Sequence, residues 1–396
     1  MSVARILLHP RRAKPFYARH PWVFSGAIAQ VEGEPQDGQA VQVFSHGGTF
    51  IAHGLYNGHS RIRVRLYSWE VDQPINADLF RQRLLQAIQL RRDILGWSGP
   101  GKACRMVFSE GDGLSGLTVD QYDRWLVVQF TSLALARREE EIIPLLRELL
   151  EPEGIYLRTE RGIGQQEGVE LHDGPLWGTF PSQPIEIKEA GLTWLVHLQE
   201  GQKTGFYLDQ RLNRLTAAKY AAGRRVLDAF CYTGGFSLHA ARAGAVETVG
   251  VDSSEPALEL ARQNAHRNNL PQATFVREEV FKYLESAAQQ RERFSLIVLD
   301  PPKFARTHSA VETALQGYRR LQALALLLLE PGGVLVTCCC SGLITMDQLA
   351  EIQQQVATDA RRPMQVLEKH GQPPDHPIAL ACPESAYLKC LISRAM

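Results

Sequence analysis

The pattern of apolar and polar positions changes twice along the 396-residue chain and predicts three segments. In residues 1–72, short apolar runs such as WVFSGAIAQV, TFIAHGLYN and RIRVRLYSW are separated by Gly and Asn-Gly, which predicts the strands of a small β-barrel. Residues 73–187 combine further strand patterns with an amphipathic helix near residues 77–95, without a regular alternation. That mixture is typical of an α+β domain.

From residue 188 to residue 396 the pattern becomes regular. Five short apolar runs alternate with helical patterns; they are RRVLDAF, ETVGVD, ATFVRE, FSLIVLD and GGVLVTC. Strands this apolar, alternating with helices, favour a parallel sheet covered on both faces. The segment is therefore predicted to form a Rossmann-like, doubly wound α/β domain whose ligand binds at the carboxyl ends of the strands.

Acidic residues stand at the ends of four successive strand patterns. In chain order they are Asp228, Asp252, Glu279 (preceded by Glu278) and Asp300. A carboxylate at the end of the second strand suits the hydroxyl groups of a ribose. One such acid alone is more often a helix cap or a surface charge, but four in series favour a nucleoside cofactor.

The turn after the first of these strands carries the adjacent glycines Gly234 and Gly235, just before a helix start. Glycine lets the backbone approach a ligand closely, and the first N–H groups of the helix point towards it. Because the glycines are adjacent, the spaced G-x-G-x-x-G fingerprint of dinucleotide-binding enzymes is absent. The turn therefore argues against a dehydrogenase.

Three longer motifs narrow the interpretation. DAFCYTGGFSLHA and DPPKF, with GQKTGFYLDQR before them, resemble the motifs of S-adenosylmethionine-dependent methyltransferases. Together they are similar to those of the large-subunit ribosomal RNA cytosine carbon-5 methyltransferases. RHPWVFSGAI resembles the start of the PUA domain that opens members of that family. The resemblance implies a PUA β-barrel, an α+β middle domain and a methyltransferase domain.

The resemblance implies S-adenosylmethionine as cofactor and a set of residues that bind it: Asp228, Phe230, Gly234, Asp252, Ser253, Glu279, Asp300, Lys203 and Phe206. Asp252 is expected at the ribose and Glu279 at the adenine. Asp228 and Gly234 are expected to face the methionine end, with Asp300 beside its amino group. Glu278 and Glu279 stand where relatives often have aspartates, which leaves open which of the two makes the contact.

The resemblance also implies a covalent mechanism at cytosine. Carbon 5 of cytosine is a poor nucleophile until a thiolate adds to carbon 6, so a cysteine is needed near the end of the fifth strand. GGVLVTCCCSG offers Cys338, Cys339 and Cys340, and the family's cysteine followed by Ser-Gly matches Cys340. Cys338 and Cys339 are expected to be small buried hydrophobes, which is the common state of free cysteine.

The proton acceptor is left open between Asp300 and the neighbouring Asp375 and His376 of the sequence DHP. Lys303, or His376 when protonated, supplies a cation that lowers the pKa of a nearby thiol. Related RNA cytosine enzymes often place a second cysteine after the Asp-Pro-Pro-like turn, but Lys303 stands there in this chain. The predicted catalytic set is Cys340, Asp300 and Lys303.

Charge changes the picture of the first segment. The 43 basic and 43 acidic side chains give zero net charge, which excludes a uniformly basic coat for nucleic acid. The sum hides +4 in residues 1–70, −6 in residues 71–186 and +2 in residues 187–396. In RIRVRL the arginines alternate with aliphatic residues, so the two-residue period of a strand places three guanidiniums on one face. That face either binds RNA or is simply exposed to solvent, and the pattern fits both equally well. The predicted RNA-binding residues are Arg19, Arg61, Arg63 and Arg65.

Composition bounds the remaining classes. The longest apolar stretch, residues 323–329, is too short to span a membrane, and the first residues do not form a signal peptide, so we expect a cytoplasmic protein without membrane contact. The 7 cysteines are odd in number and include no CxxC pair, which disfavours a disulfide framework and a structural zinc site. The expected partner is 23S ribosomal RNA, free or partly assembled, and a homodimer is left open.

Two other functions stay open. Enzymes that methylate exocyclic amines usually carry an aromatic residue directly after the two prolines, whereas Lys303 precedes Phe304 here. The other is a non-catalytic RNA-binding factor that acts in ribosome assembly. Such a factor is expected to lack some of the cofactor-binding acids or the cysteine, and this chain has retained them all.

Overall fold

The computed structural model describes residues 3–160, 162–305 and 307–396. The chain forms two compact units. The first unit comprises Met1–Ile187, His197–Leu208 and Pro374–Ser385, and the second comprises Lys188–Val196, Asp209–Pro373 and Ala386–Met396. The division into domains at residues 72 and 187 stays a prediction. Two short segments beyond residue 187 nevertheless fold with the first unit.

The first unit begins with a six-stranded sheet whose core contains Ile6, Val23, Val41 and Val64. The strands are β1 (Ala4–Leu8), β2 (Trp22–Phe24), β3 (Ile28–Glu32), β4 (Ala40–Phe44), β5 (Phe50–Tyr56) and β6 (Ile62–Ser68), with helix α1 (Lys14–Tyr17) after β1. Their order across the sheet is β2-β6-β5-β4-β1-β3. In β4 the buried Val41 and Val43 alternate with partly exposed residues, as the period-two pattern predicts.

A five-stranded sheet and four helices complete the described part of the first unit. The helices are α2 (Ala77–Gln89), α3 (Leu133–Ala136), α4 (Glu139–Leu150) and α5 (Ile163–Glu167). The strands are β7 (Ala103–Phe108), β8 (Leu117–Tyr122), β9 (Trp125–Phe130), β10 (Gly154–Leu157) and β11 (Gly174–Gly178), in the order β11-β10-β9-β8-β7. The side chain of Asn76 caps α2 by accepting the N–H of Leu79. A π-helical turn, Leu90–Ile94, extends α2, so the predicted amphipathic helix is confirmed.

The second unit contains the predicted doubly wound sheet. A hairpin of β12 (Ile185–Glu189) and β13 (Leu192–Val196) leads into it. The elements that follow are α6 (Arg211–Ala218), β14 (Arg225–Ala229), α7 (Gly235–Arg242), β15 (Glu247–Asp252), α8 (Glu255–Arg267), β16 (Ala273–Arg277), α9 (Val280–Gln289), β17 (Phe294–Leu299), α10 (Val311–Leu328), β18 (Leu329–Cys339), α11 (Met346–Asp359), β19 (Met364–His370) and β20 (Lys389–Ala395). The five predicted strands are all present, as β14 to β18. No helix within the described ranges is long and apolar enough to cross a membrane.

The order of the parallel strands in this sheet has one reversal, between two central strands. Its described strands run β16-β15-β14-β17-β18-β20-β19, with β14 to β18 parallel and β20 antiparallel to β18. The strand order reverses between β14 and β17, and ligands of open α/β sheets bind outside the carboxyl ends at such a reversal. Apolar side chains pack on both faces of the sheet, with Cys339 in one cluster and Cys338 and Cys390 in the other.

Candidate active site

Asp228 lies fully buried near the carboxyl end of β14. One oxygen, Oδ2, accepts the backbone N–H of Ser237 at 2.8 Å and its hydroxyl at 2.7 Å. The other, Oδ1, has no hydrogen-bond partner among the described residues. Burial, with a smaller contribution from Asp252, raises the pKa of Asp228 to about 7, because the charged form loses its hydration. The free oxygen suits a ligand that brings a hydrogen-bond donor or a positive charge.

The turn after Asp228 has an unusual backbone. Phe230, Tyr232 and Gly234 have φ angles of 67°, 51° and 83°, a region that residues with a side chain rarely adopt. The N–H groups of Phe230 and Cys231 both donate to the carbonyl of Val251, at 2.9 and 3.0 Å, which holds the turn against β15. Non-glycine residues in this region cluster at functional sites.

Asp252 ends β15 and is bonded to both neighbouring loops. Its Oδ2 accepts the N–H of Tyr232 at 3.0 Å, and its Oδ1 accepts the N–H of Ser254 at 2.9 Å. Each oxygen of an ionised carboxylate has a second lone pair, so Asp252 retains acceptor capacity for ribose hydroxyls. Ser253 is exposed beside it.

Glu279 is the N-cap of α9. Its Oε1 accepts the N–H of Phe281 at 3.2 Å and its Oε2 accepts that of Lys282 at 3.0 Å. The Oε1 atom of Glu278 accepts the N–H of Glu279 at 2.9 Å. Both acids are thus fixed by local backbone, and the choice between them at the adenine stays open.

Asp300 follows β17 and is held by Gln210. That residue lies in the GQKTGFYLDQR motif, but it was not among the predicted site residues. The Oδ1 atom of Asp300 accepts the side-chain N–H of Gln210 at 2.9 Å. Gln210 is buried and accepts in turn from Asn213 at 2.6 Å. This chain of amides orients the Asp300 carboxylate.

The acceptor groups at the carboxyl ends of these strands fit the cofactor that the resemblance implies. The carboxylates of Asp228, Asp252 and Asp300 lie at the carboxyl ends of three adjacent strands, and S-adenosylmethionine brings ribose hydroxyls and an ammonium group as hydrogen-bond donors. The unmatched Oδ1 of the buried Asp228 requires a donor of that kind.

The three consecutive cysteines occupy different environments. Cys338 lies opposite Cys390 in the sheet, and its contact with Cys390 together with burial raises the pKa of its thiol well above the ordinary value. Cys339 is buried on the other face. All seven cysteines belong to the described part of the chain, and Cys340 alone is not buried. It follows β18 directly.

A hydrogen-bonded turn surrounds Cys340. The hydroxyl of Ser341 donates to the carbonyl of Ala305 at 3.0 Å, which ties this turn to the DPPKF loop. The ammonium of Lys389 donates to the carbonyls of Ser341 and Tyr387. Lys303 is exposed on the DPPKF loop. Sequence patterns did not single out Lys389, because a lysine at a strand start is usually a surface residue.

Phe304 does not project as a platform for a base. Its ring packs against Tyr318, with the centroids 5.1 Å apart and the planes at 57°. A Cβ atom on Gly317 would lie 3.4 Å from the same ring, so Phe304 is seated on α10. This contact weakens the alternative of exocyclic amine methylation.

Lys203 and Phe206, predicted at the cofactor, and Asp375 and His376, considered as proton acceptors or cations, belong to the first unit. Lys203 has φ of 50° and Phe206 is buried, its N–H donating to the hydroxyl of Tyr122 at 3.1 Å. Asp375 and His376 are buried and bonded to each other at 2.9 Å. The Asp375 carboxylate also accepts a backbone N–H from β7, so both residues serve the packing of the first unit.

The arginine row on β6 requires a correction. Arg65 does not present its guanidinium to solvent: it is 7% exposed and pairs with Glu167 at 3.1 Å and Glu110 at 3.5 Å. Arg63 is partly buried and donates to the carbonyls of residues 57 and 58. Period two places these arginines on one face, but it does not show that Glu110, Ser115 and Glu167 of other segments enclose the guanidinium of Arg65. Arg61 is exposed, and Arg19 is exposed beside Glu70 at 3.3 Å.

A histidine, a cysteine and a glutamate also meet in the first unit. Nε2 of His20 lies 3.4 Å from Glu384, and the thiol of Cys382 donates to the same carboxylate at 3.6 Å. Nδ1 of His20 accepts the N–H of Trp22, so the neutral ring carries its proton on Nε2. A protonated Nε2 offers no lone pair, and the group does not fit a metal centre.

Two family models match the chain. Residues 176–394 match the S-adenosylmethionine-dependent methyltransferase family, and residues 6–69 match a PUA-like domain. Among curated proteins, "Ribosomal RNA large subunit methyltransferase I" of Aeromonas hydrophila is 42% identical over 395 residues, covering 99% of both chains. The protein of the same name from Escherichia coli is 40% identical over 398 residues, covering 100% of both.

Solved structures share the whole fold. One, described as a SAM-dependent methyltransferase from Streptococcus mutans, superposes with a TM-score of 0.84 at 22% identity, covering 99% of this chain and 100% of that one. Another, described as a methyltransferase complexed with SAH, gives a TM-score of 0.86 at 22% identity, with the same coverage. At this identity the likeness concerns the fold alone.

Proposed function

This chain belongs to the family of S-adenosylmethionine-dependent methyltransferases, and on that premise we propose that it methylates carbon 5 of a cytosine in large-subunit (23S) ribosomal RNA. The observation that carries the covalent route is the position of Cys340. It is the accessible cysteine, it follows β18 directly, and it is joined through Ser341 to the loop that begins with Asp300. The names of the relatives support ribosomal RNA as the substrate.

The cofactor supplies an electrophilic methyl group when it is bound. In this proposal the Asp252 carboxylate accepts hydrogen bonds from the ribose hydroxyls, and Glu279 or Glu278 accepts one from the adenine amino group. Asp228 and Asp300 hold the methionine end. Phe230, Gly234 and Ser253 shape the neighbouring loops. The roles of Lys203 and Phe206 at the cofactor stay predictions.

The residues of this chain then work on the cytosine. The thiolate of Cys340 forms a bond to carbon 6, and the ring electrons make carbon 5 nucleophilic. After carbon 5 has gained the methyl group, Asp300 removes its proton. The released electron pair restores the double bond between carbons 5 and 6, and the bond from carbon 6 to sulfur breaks with its electrons returning to Cys340. Lys303 favours the thiolate by its charge.

The RNA contact in this proposal lies on the exposed side of the first sheet. Arg61 and Arg12 flank the short turn Ser25–Ala27, since Ser25 donates to the carbonyl of residue 61 at 3.0 Å and residues 27, 9 and 12 are joined by backbone hydrogen bonds. Arg12 and Arg19 are exposed, and the adjacent Phe24 is 45% exposed. Exposed cations and an exposed aromatic ring on segments joined by backbone hydrogen bonds suit an RNA backbone and an unstacked base.

The target base must leave its stack before carbons 5 and 6 can be reached, so we expect free or partly assembled 23S RNA as the substrate. Action on ribosomal RNA supports a cytoplasmic location. A homodimer stays a prediction.

The test is methylation of 23S RNA from cells that lack the protein, with the modified nucleoside identified by mass spectrometry. We expect 5-methylcytosine from the unaltered protein and none from Cys340→Ala, which should still bind the cofactor. Cys382→Ala removes a buried cysteine of the first unit and serves as the matched control. Full activity of Cys340→Ala rules out the covalent route, and an N-methylated nucleoside rules out carbon 5.

A further inference from the structure

Lys389 is a buried lysine next to the cysteine run. It begins β20 and lies opposite Cys339 in the antiparallel pair with β18. Its residue is 9% exposed, and its ammonium donates to the carbonyls of Ser341 and Tyr387. Among the described residues it forms no ion pair. Lysine is rarely buried without a counter-charge, so this position calls for a physical reason.

The titratable groups around Lys389 come from several elements. Cys339, at the end of β18, and Cys340, directly after it, act on it electrostatically, and so does Lys303 from the DPPKF loop. Burial lowers the pKa of Lys389, Lys303 lowers it further, and the two cysteines act in the opposite direction. The environment therefore destabilises the charged form of Lys389, and a negative charge on a neighbouring thiol would stabilise it.

Two further groups act on the same thiols. The hydroxyl of Tyr318, on α10, has its pKa raised by burial, by Cys339 and Cys340, and by the carboxylate of Asp300. Tyr318 stays neutral at physiological pH, and Asp300 opposes formation of a thiolate. Two cations of the described part of the chain favour a thiolate in this cysteine run: Lys389, which is buried, and Lys303, which is exposed.

We propose that Lys389 is a positioning residue for methyl transfer, which fixes the turn after Cys340 through the Ser341 carbonyl and stabilises the Cys340 thiolate. The buried ammonium acts at higher strength than Lys303 because solvent screens it less. The inference rests on the proposed function in one respect, that the Cys340 thiolate is the group that attacks the cytosine. The acidity of the Cys340 thiol is measurable without RNA or cofactor.

The test is the pH dependence of iodoacetamide alkylation at Cys340 in the full-length protein, followed by mass spectrometry of its peptide. The six buried cysteines serve as slow internal references. Lys389→Met keeps the length of the side chain and removes the charge. We expect the alkylation midpoint to rise by about one pH unit, with roughly tenfold slower reaction at neutral pH.

Two variants complete the experiment. Lys389→Arg retains a charge that cannot be given up as a proton, so it should keep the midpoint near that of the unaltered protein. Lys369→Met removes an exposed lysine from the neighbouring β19 and should leave the midpoint unchanged. Circular dichroism of each variant checks the fold. In turnover, Lys389→Met should lower kcat and recover at high pH, because a higher pH restores the thiolate.

The outcomes separate the two ideas. An unchanged midpoint in folded Lys389→Met overturns the inference, whatever Cys340→Ala does. A raised midpoint in both Lys389→Met and Lys389→Arg overturns it as well, since the charge then has no part in the effect. A raised midpoint that Lys389→Arg restores supports it, and full activity of Cys340→Ala in the same series rejects the covalent function alone.

Discussion

Ser237 donates both its backbone N–H and its hydroxyl to a single oxygen of Asp228, at 2.8 and 2.7 Å, and leaves the second oxygen without a partner among the described residues. The carboxyl is fully buried, so its pKa rises to about 7 rather than falling. A native state that raises the pKa of a carboxyl is destabilised wherever that carboxyl is ionised. Asp228 is therefore arranged for a ligand at a cost to the free protein.

We predict that Asp228→Asn stabilises the free protein at alkaline pH and abolishes cofactor binding. An unfolded aspartate titrates near 3.9, so between about pH 4 and pH 7 the native state binds more protons and stability falls as pH rises. Asn lacks this penalty, and the gain should reach about 2–4 kcal/mol above pH 7 and disappear near pH 4. Thermal unfolding at several pH values measures it. A gain that is the same at pH 5 and pH 8 contradicts the explanation.

The buried Glu189 shows the opposite sign. It accepts from Arg211 at 2.9 Å, pairs with Arg214, and lies 3.6 Å from His239, which joins the β12–β13 hairpin to α6 and α7. Burial opposes its ionisation, but Arg214 above all holds the pKa of Glu189 well below its usual range. Its contribution to stability is therefore present above the unfolded pKa of about 4.3 and is lost only as pH falls through the lower native value.

Glu189→Gln should destabilise the protein by about 3 kcal/mol or more between pH 5 and pH 8, since it leaves buried cations without their carboxylate. Urea denaturation checks the magnitude. Glu259→Gln, at an exposed pair with Arg262, is the matched control and should cost less than about 1 kcal/mol. Equal losses in the two variants would contradict the role of burial.

The parallel strands of the second unit were predictable because each is a short run of apolar residues. So were the acids near the ends of the first four of them, β14 to β17. The antiparallel β19 and β20 were not predicted. In β20, Lys389 begins an apolar run, and only the pairing with β18 places it beside Cys339. Arg65 illustrates the same limit: period two assigns a strand face, but not whether other segments of the chain, here those carrying Glu110 and Glu167, cover it.

Substitutions of Arg61 and Arg65 should have different effects, one on RNA binding and the other on stability, although the two arginines are only four residues apart in one strand pattern. Arg65→Ala leaves Glu110 and Glu167 buried without their cation, and we expect a loss of about 3 kcal/mol. Arg61→Ala should leave unfolding unchanged, weaken binding of 23S RNA, and reduce the salt slope of that binding by about 1. Filter binding over a salt series, beside urea denaturation, measures both. An unchanged slope for Arg61→Ala makes Arg61 an ordinary surface residue.

The last prediction concerns the strained turn after β14. Gly234 has φ of 83°, and a Cβ atom there would lie 3.0 Å from the ring of Phe275, so Gly234→Ala adds a steric contact to a conformational cost. Gly223 has φ of 70° with nothing within 4 Å of the same position, so Gly223→Ala carries the conformational cost alone, about 1 kcal/mol. We expect Gly234→Ala to lose about 1 kcal/mol more than that control in urea denaturation and to bind SAH at least tenfold more weakly by calorimetry, because Phe275 or the turn must shift. If both variants lose the same stability and bind SAH equally, the close approach at Gly234 has no part in holding the cofactor.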